Sequence, residues 1–153
     1  MKQLDSTDHQ ILHLLQKNAK FTIKEIATEM GMTTTPVYER IKRMEEHGYI
    51  QNYVALLDKH KLGLYLTVFC KVTLLDHSKA QMESFESQIN THQEIIECFQ
   101  IAGDFDYLLK VVLKDMAAYQ NFMVEKIANL PNVQKIQSSF VMNEVKCNTQ
   151  LHF

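Results

Sequence analysis

TIKEIATEMGMTTTPVYERIKRMEEHG, residues 22–48, carries two helix starts and two helix stops in one short stretch. Thr22 and Glu25 stand in the spacing at which a cap hydroxyl and a glutamate exchange hydrogen bonds with each other's backbone N–H groups. Behind them Ile23, Ile26, Ala27 and Met30 recur at helical spacing and form one apolar face. Gly31 then supplies the left-handed residue at which many helices end. The next helix begins almost at once: Thr33 is its N-cap, and Pro36 falls in the first turn, where a missing N–H breaks no helical bond. Val37, Ile41 and Met44 repeat at i, i+4 and i+7, and Gly48 closes the element. Upstream, Leu4, Ile11, Leu14 and Leu15 share the face of a bracing helix that Asp5 or Ser6 caps, with Asp8 near its positive end. Two helices joined by a tight glycine turn and braced by a third are the sequence form of a helix-turn-helix.

With Val37, Ile41 and Met44 turned inward, steps of 100° fix what the opposite face presents. It carries Thr35, Tyr38, Glu39, Lys42 and Arg43, flanked by Thr34 and Arg40 and preceded by Thr33. Hydroxyl, aromatic and cationic groups in that arrangement suit base edges and phosphates of a major groove. The bland alternative is a solvated helix face. Net charge gives little help, because the chain has 16 basic and 18 acidic side chains, and residues 1–57 are themselves balanced. Non-specific attraction to a polyanion should therefore be weak per subunit, so that DNA binding calls for more than one copy.

After Gly48 the period changes to two. YIQNYVALLD, residues 49–58, reads as a strand and connector. Residues 64–75 alternate cleanly, with Leu66, Val68, Cys70, Val72 and Leu74 on one side. A helix over 78–91 turns Met82, Phe85 and Ile89 inward, and strands follow at 95–102 and 106–113 about a Gly103-Asp104 turn. Asp115 caps a helix with the stripe Tyr119, Phe122, Met123 and Ile127, stopped by Leu130-Pro131-Asn132; a last strand spans 135–146. The order βαββαβ is the ferredoxin-like arrangement. The fold class is thus a two-domain α/β protein. Residues 1–50 form a winged-type, three-helix helix-turn-helix domain, 51–60 connect, and 61–153 form a ferredoxin-like sandwich for sensing and assembly. Helices on one side leave the other sheet face bare, and a second copy is its natural cover.

In IAGDFDYLLKV, residues 101–111, alternation puts Asp104 and Asp106 on the same side of a bend. Two close carboxylates raise several possibilities. A catalytic pair would want a nucleophile or polar partners nearby, and a divalent metal would want further ligands; neither accompanies them. The reading is accordingly no enzyme and no metal, which leaves a turn shaped by aspartate or a loop that grips a ligand. His9 and His13 stand at i, i+4 without the glutamate of a zinc-protease helix and are read as surface groups. Cys70, Cys98 and Cys147 form no CxxC pair and are read as reduced core residues. The composition, 46% hydrophobic and 22% charged, is that of a globular chain. No apolar run is long enough to cross a bilayer, and MKQLDSTDHQ has no signal-peptide core; the expectation is a cytoplasmic protein without a membrane partner.

GMTTTPVYERIKRMEEHGYIQNYVALLDKHKLG, residues 31–63, resembles the recognition helix and connector of the Lrp/AsnC (leucine-responsive/asparagine, or feast/famine) regulators. GDFDYLLKV at 103–111, the helix ending Leu130-Pro131 and the strand SSFVMNEVK resemble that family's effector domain, so the likeness spans essentially the whole chain. It implies a transcriptional regulator that binds double-stranded DNA and is modulated by an amino-acid effector, with no other cofactor. It also implies dimers that assemble further, into tetramers or octamers. DNA contacts are then expected from Thr33, Thr34, Thr35, Tyr38, Glu39, Arg40, Lys42 and Arg43. The effector is expected at Ala102, Gly103, Asp104 and Asp106, where loop N–H groups would hold an α-carboxylate and an aspartate the α-ammonium. Ser138 and Ser139 would add a hydroxyl; alternation lets only one of them face the site without saying which, and Ser139 is favoured. Asn132 stands where the family usually has glycine, a change expected to be mild because Asn tolerates left-handed backbone. The competing classes are an amino-acid-sensing subunit acting on a protein partner, and an enzyme on a ferredoxin-like scaffold.

Overall fold

The computed structural model describes residues 3–153. The chain divides into two compact units, one running through Leu56 and including Lys146–Phe153, the other Leu57–Val145.

In the first unit, α1 (Ser6–Lys17), α2 (Ile23–Glu29) and α3 (Thr34–Glu46) follow the expected starts and stops. Asp5 caps α1 by accepting from the Asp8 N–H, while Asp8 accepts in return from the Asp5 N–H. Thr22 and Glu25 make the same reciprocal exchange at α2. Thr33 occupies the cap position of α3 with extended backbone, but its hydroxyl makes no capping bond. Gly31 ends α2 at φ +63°, a conformation that favours glycine, and the Met32 N–H reaches back to the Ala27 carbonyl. Ile11, Ile26, Val37 and Met44 are almost fully buried together and form the centre of this small core.

The second unit contains β1 (Leu66–Leu74), α4 (Lys79–Ile89), β2 (Ile95–Gln100), β3 (Tyr107–Leu113), α5 (Met116–Phe122) and β4 (Val133–Phe140). The sheet order is β2-β3-β1-β4, with every neighbouring pair antiparallel. Val68, Cys70, Val72 and Leu74 of β1 and Tyr107, Leu109, Val111 and Leu113 of β3 face one way. Phe85, Ile89, Phe122 and Ile127 of the helices close over them. The other sheet face, with Phe69, Lys71, Leu108, Lys110 and Ser139, has no helix over it.

Several expectations need correction. A π-helical turn, Met123–Ile127, extends α5, closed by the bond from the Ala128 N–H to the Met123 carbonyl. The wider turn buries Phe122 and Ile127 together although they are five residues apart. The last strand stops at Phe140 rather than 146, because pairing ends with the Val141 N–H on the Thr67 carbonyl, where β1 begins. Residues 49–58, read as a strand and connector, carry no β pairing among the described residues, and Tyr53, Val54, Leu56 and Leu57 are exposed. The final eight residues, counted with the sandwich from sequence, pack on α1. There the Gln16 amide accepts from the Leu151 N–H at 2.7 Å and donates to its carbonyl at 3.1 Å. Cys70 alone of the three cysteines is in the core; Cys98 and Cys147 are exposed, and none is in a disulfide. Asn132 has no left-handed backbone, since only glycines have positive φ among the described residues. Its buried side chain instead pairs with the backbone N–H and carbonyl of Asp76.

Candidate nucleic-acid interface and effector loop

The outward side of α3 is open within its unit. Thr33, Thr34, Thr35 and Glu39 are exposed, Tyr38 is 50% exposed, and Lys42 reaches solvent with a long 3.8 Å contact to Glu46. The face forms because the buried stripe Val37, Ile41, Met44 fixes the helix rotation against α1 and α2. Beside it the Tyr53 hydroxyl donates to Glu45 at 2.8 Å. Burial and the Glu45 charge together push that phenol up to about 12.

Arg40 and Arg43 behave differently from the rest of the face. The Arg40 Nη1 donates at 2.7 Å to both Asp5 Oδ2 and Asp8 Oδ1, and the Arg43 Nη2 donates at 2.7 Å to Asp8 Oδ2. Asp8 is 1% exposed, so a buried carboxylate on α1 holds two cations of α3. The hydrogen bond from Arg40 holds the Asp5 carboxyl down at about 2, and the two aspartates push the Arg40 guanidinium up. Sequence reasoning read Asp8 only as a favourable charge near a helix start. The signal it missed was a capping box built from two aspartates, which places both carboxylates at one helix end.

In the second unit the loop after β2 separates the two aspartates. Ala102, Gly103 and Asp104 are exposed, and Gly103 adopts φ +138°, a conformation side chains disfavour. Asp104 makes no hydrogen bond among the described residues, and neither do the N–H groups of Ala102, Gly103 and Asp104. Asp106 is fully engaged. Its Oδ2 accepts from the buried Leu74 N–H at 2.7 Å, its Oδ1 meets His77 Nε2 at 2.9 Å, and its own N–H donates to the Val72 carbonyl. Between them Phe105 lies under the Lys71 ammonium, 5.2 Å from ring centre.

The two serines part as alternation requires. Ser138 lies opposite Cys70 on the helix-covered side and accepts from the Tyr119 hydroxyl at 2.6 Å. Ser139 lies opposite Phe69 on the bare side and is exposed. Asp106 bonds to Val72, three residues along β1 from Phe69, which is roughly 10 Å at the strand rise. The serine and the loop are therefore not brought together within one chain.

Elsewhere in the first unit a hollow of about 610 Å³ is lined by His9, His13, Glu29, His152 and Phe153. No three His, Cys, Asp or Glu side chains converge to hold a metal among the described residues. No helix among them is long and apolar enough to cross a membrane.

A helix-turn-helix with an open second helix, in one chain with a βαββαβ sandwich, is the build of a DNA-binding transcriptional regulator rather than an enzyme. Comparison with known proteins agrees. The family model described as winged helix-turn-helix DNA-binding matches residues 4–51, and that of the Lrp/AsnC ligand binding domain matches residues 67–151. The chain belongs to the Lrp/AsnC family. It is 40% identical over 150 residues to the leucine-responsive regulatory protein of Klebsiella pneumoniae, covering 98% of this chain and 92% of that one. The Escherichia coli K12 protein of the same name is 39% identical over the same shares. Among solved structures, a Neisseria meningitidis transcriptional regulator in complex with L-Met superposes with a TM-score of 0.94 at 33% identity. The match covers 98% of this chain and 97% of the other. An AsnC family regulator from Agrobacterium tumefaciens gives 0.93 at 36% identity, with 97% of each chain covered.

Proposed function

We propose that this regulator responds to an amino acid and reads duplex DNA through the outward face of α3 as an assembly of at least two chains. The first fifty residues carry DNA binding; the residues from 61 onward carry sensing and assembly. The open face bearing Thr35, Tyr38 and Lys42 supports this reading above all, because it is free to enter a groove without rearranging the core. Arg40, Arg43 and the hydroxyls of Thr33 and Thr34 flank it, and Glu39 is placed to accept from a cytosine amino group.

The effector reading rests on unpaired groups at residues 102–104. Free N–H groups beside an exposed carboxylate match the two ends of an α-amino acid, the carboxylate on the N–H groups and the ammonium on Asp104. Asp106 is structural here, and Ser138 is occupied by Tyr119. Ser139 lies too far along the sheet to serve the same chain's loop, so its hydroxyl would reach a ligand only across an interface. The bare sheet face and the exposed apolar connector supply surface for that interface. The Neisseria regulator solved with L-Met lends the class of ligand.

Thermal denaturation of the protein in each of the twenty amino acids tests the sensor. At least one should raise the midpoint, by about 2.7 kcal/mol of stabilisation at a hundredfold excess over Kd. Asp104→Ala should abolish the response. No shift from any of the twenty removes the sensor, while leaving DNA binding to stand on its own measurement.

A further inference from the structure

We propose that Asp8 is a positioning residue for DNA binding: it fixes the guanidinium groups of Arg40 and Arg43 in the orientation in which their free N–H edges meet a phosphate. The proposal rests on the reading that α3 faces DNA. The Asp8 carboxylate is 1% exposed and gives one oxygen to each arginine at 2.7 Å. Asp5 adds a second brace on Arg40 at 2.7 Å. Arg40 spends only Nη1 on these bonds and Arg43 only Nη2. The remaining guanidinium nitrogens have no partner among the described residues, and the side chains keep 25% and 32% exposure.

A guanidinium presents five donors in a planar fork, so one edge can bind a carboxylate while another binds a phosphate. Arg40 and Arg43 are three residues apart and therefore neighbours on the helix surface. Long cations normally lose rotamer freedom when they grip a phosphate; these two have lost it before DNA arrives. In a domain whose charges balance, that saving of about 0.5–1.5 kcal/mol per side chain counts toward binding. A plain structural role, with Asp8 merely pinning α1 to α3, predicts something different. Removing a negative charge near DNA would then leave binding unchanged or tighten it.

The test uses the full chain, a labelled mixed-sequence duplex and fluorescence anisotropy across a salt series, at a temperature where each variant is folded by circular dichroism. Asp8→Asn should weaken binding roughly 5- to 150-fold, the range for re-ordering two long side chains, despite removing a negative charge. In an Arg40→Gln/Arg43→Gln background the same change should have no further effect. Arg40→Gln and Arg43→Gln singly leave Asp8 one arginine and should each lower the slope of log Kd against log salt by about 0.9. These two keep the proposal open to refutation even if Asp8→Asn does not fold. Unchanged or tighter binding by folded Asp8→Asn, or wild-type slopes in both arginine variants, would overturn it. Failure of the wild-type protein to bind the duplex would instead remove the reading on which the proposal rests.

Discussion

Replacing Asp106 with alanine should destabilise the second unit, whereas the same change at Asp104, two residues away, should not. Asp106→Ala removes two acceptors at once. The Leu74 N–H it serves belongs to a residue 1% exposed, so no solvent replaces the lost partner. A buried donor left unsatisfied costs about 1–3 kcal/mol. The contact to His77 adds at most about 1 kcal/mol, because the imidazole is 58% exposed and screened. The expected loss is about 1–4 kcal/mol, and each kcal/mol lowers the thermal midpoint of a unit this size by roughly 4–8 °C. Asp106→Asn keeps an oxygen for Leu74 and should lose less than about 1 kcal/mol. Asp104→Ala, at an exposed position without internal bonds, should stay within about 0.5 kcal/mol of wild type. Urea denaturation followed by tyrosine fluorescence measures all three. The reasoning fails if Asp106→Ala is as stable as wild type, or if Asp104→Ala costs as much.

Acid should loosen the start of α1 in a defined window. The bond from Arg40 holds Asp5 at about 2 against an ordinary value of 3.8. A depressed folded-state pKa gives stability that is complete above the ordinary value and disappears as pH falls through 3.8 toward 2. Glu25 and Glu144 are lowered too and act with the same sign. Far-UV circular dichroism across pH 2–5 should therefore show a drop, and Asp5→Asn should flatten the part that Asp5 contributes. In the core, Ile11→Ala opens a hole at a fully buried position and should cost about 2–5 kcal/mol in chemical denaturation.

The elements that could be read from sequence are those whose determinants are local. The capping box of Thr22 and Glu25, the stripe Val37-Ile41-Met44 and the alternation of β1 each lie within one or two turns or one strand, and each forms as read. The misreadings share a different origin. The last strand ends where its partner strand begins, a fact about Thr67 rather than about residues 141–146. The connector has the alternation of a strand, but a strand exists only when something pairs with it. The tail joins α1 through Gln16 and Leu151, 135 residues apart, and no window on the sequence contains both.

The same distinction governs the site. Which side chains of α3 face outward is a matter of 100° steps, so Thr35, Tyr38 and Lys42 could be named without coordinates. What Arg40 and Arg43 do is set by Asp8, more than thirty residues earlier, and pattern alone assigns all basic residues on a face the same role. At the loop, alternation equated Asp104 with Asp106, yet alternation holds only inside a paired strand, and both residues precede β3. One carboxylate is consumed in tying the loop to the end of β1, and the other makes no hydrogen bond among the described residues. On the proposed reading a ligand loop needs an anchored backbone and an unspent charge, and the two aspartates divide those tasks: Asp106 anchors and Asp104 is unspent. Asp106 thus shapes the turn, one of the two readings the pattern left open, while the other, a gripping loop, falls on Asp104 and is what the amino-acid denaturation series decides.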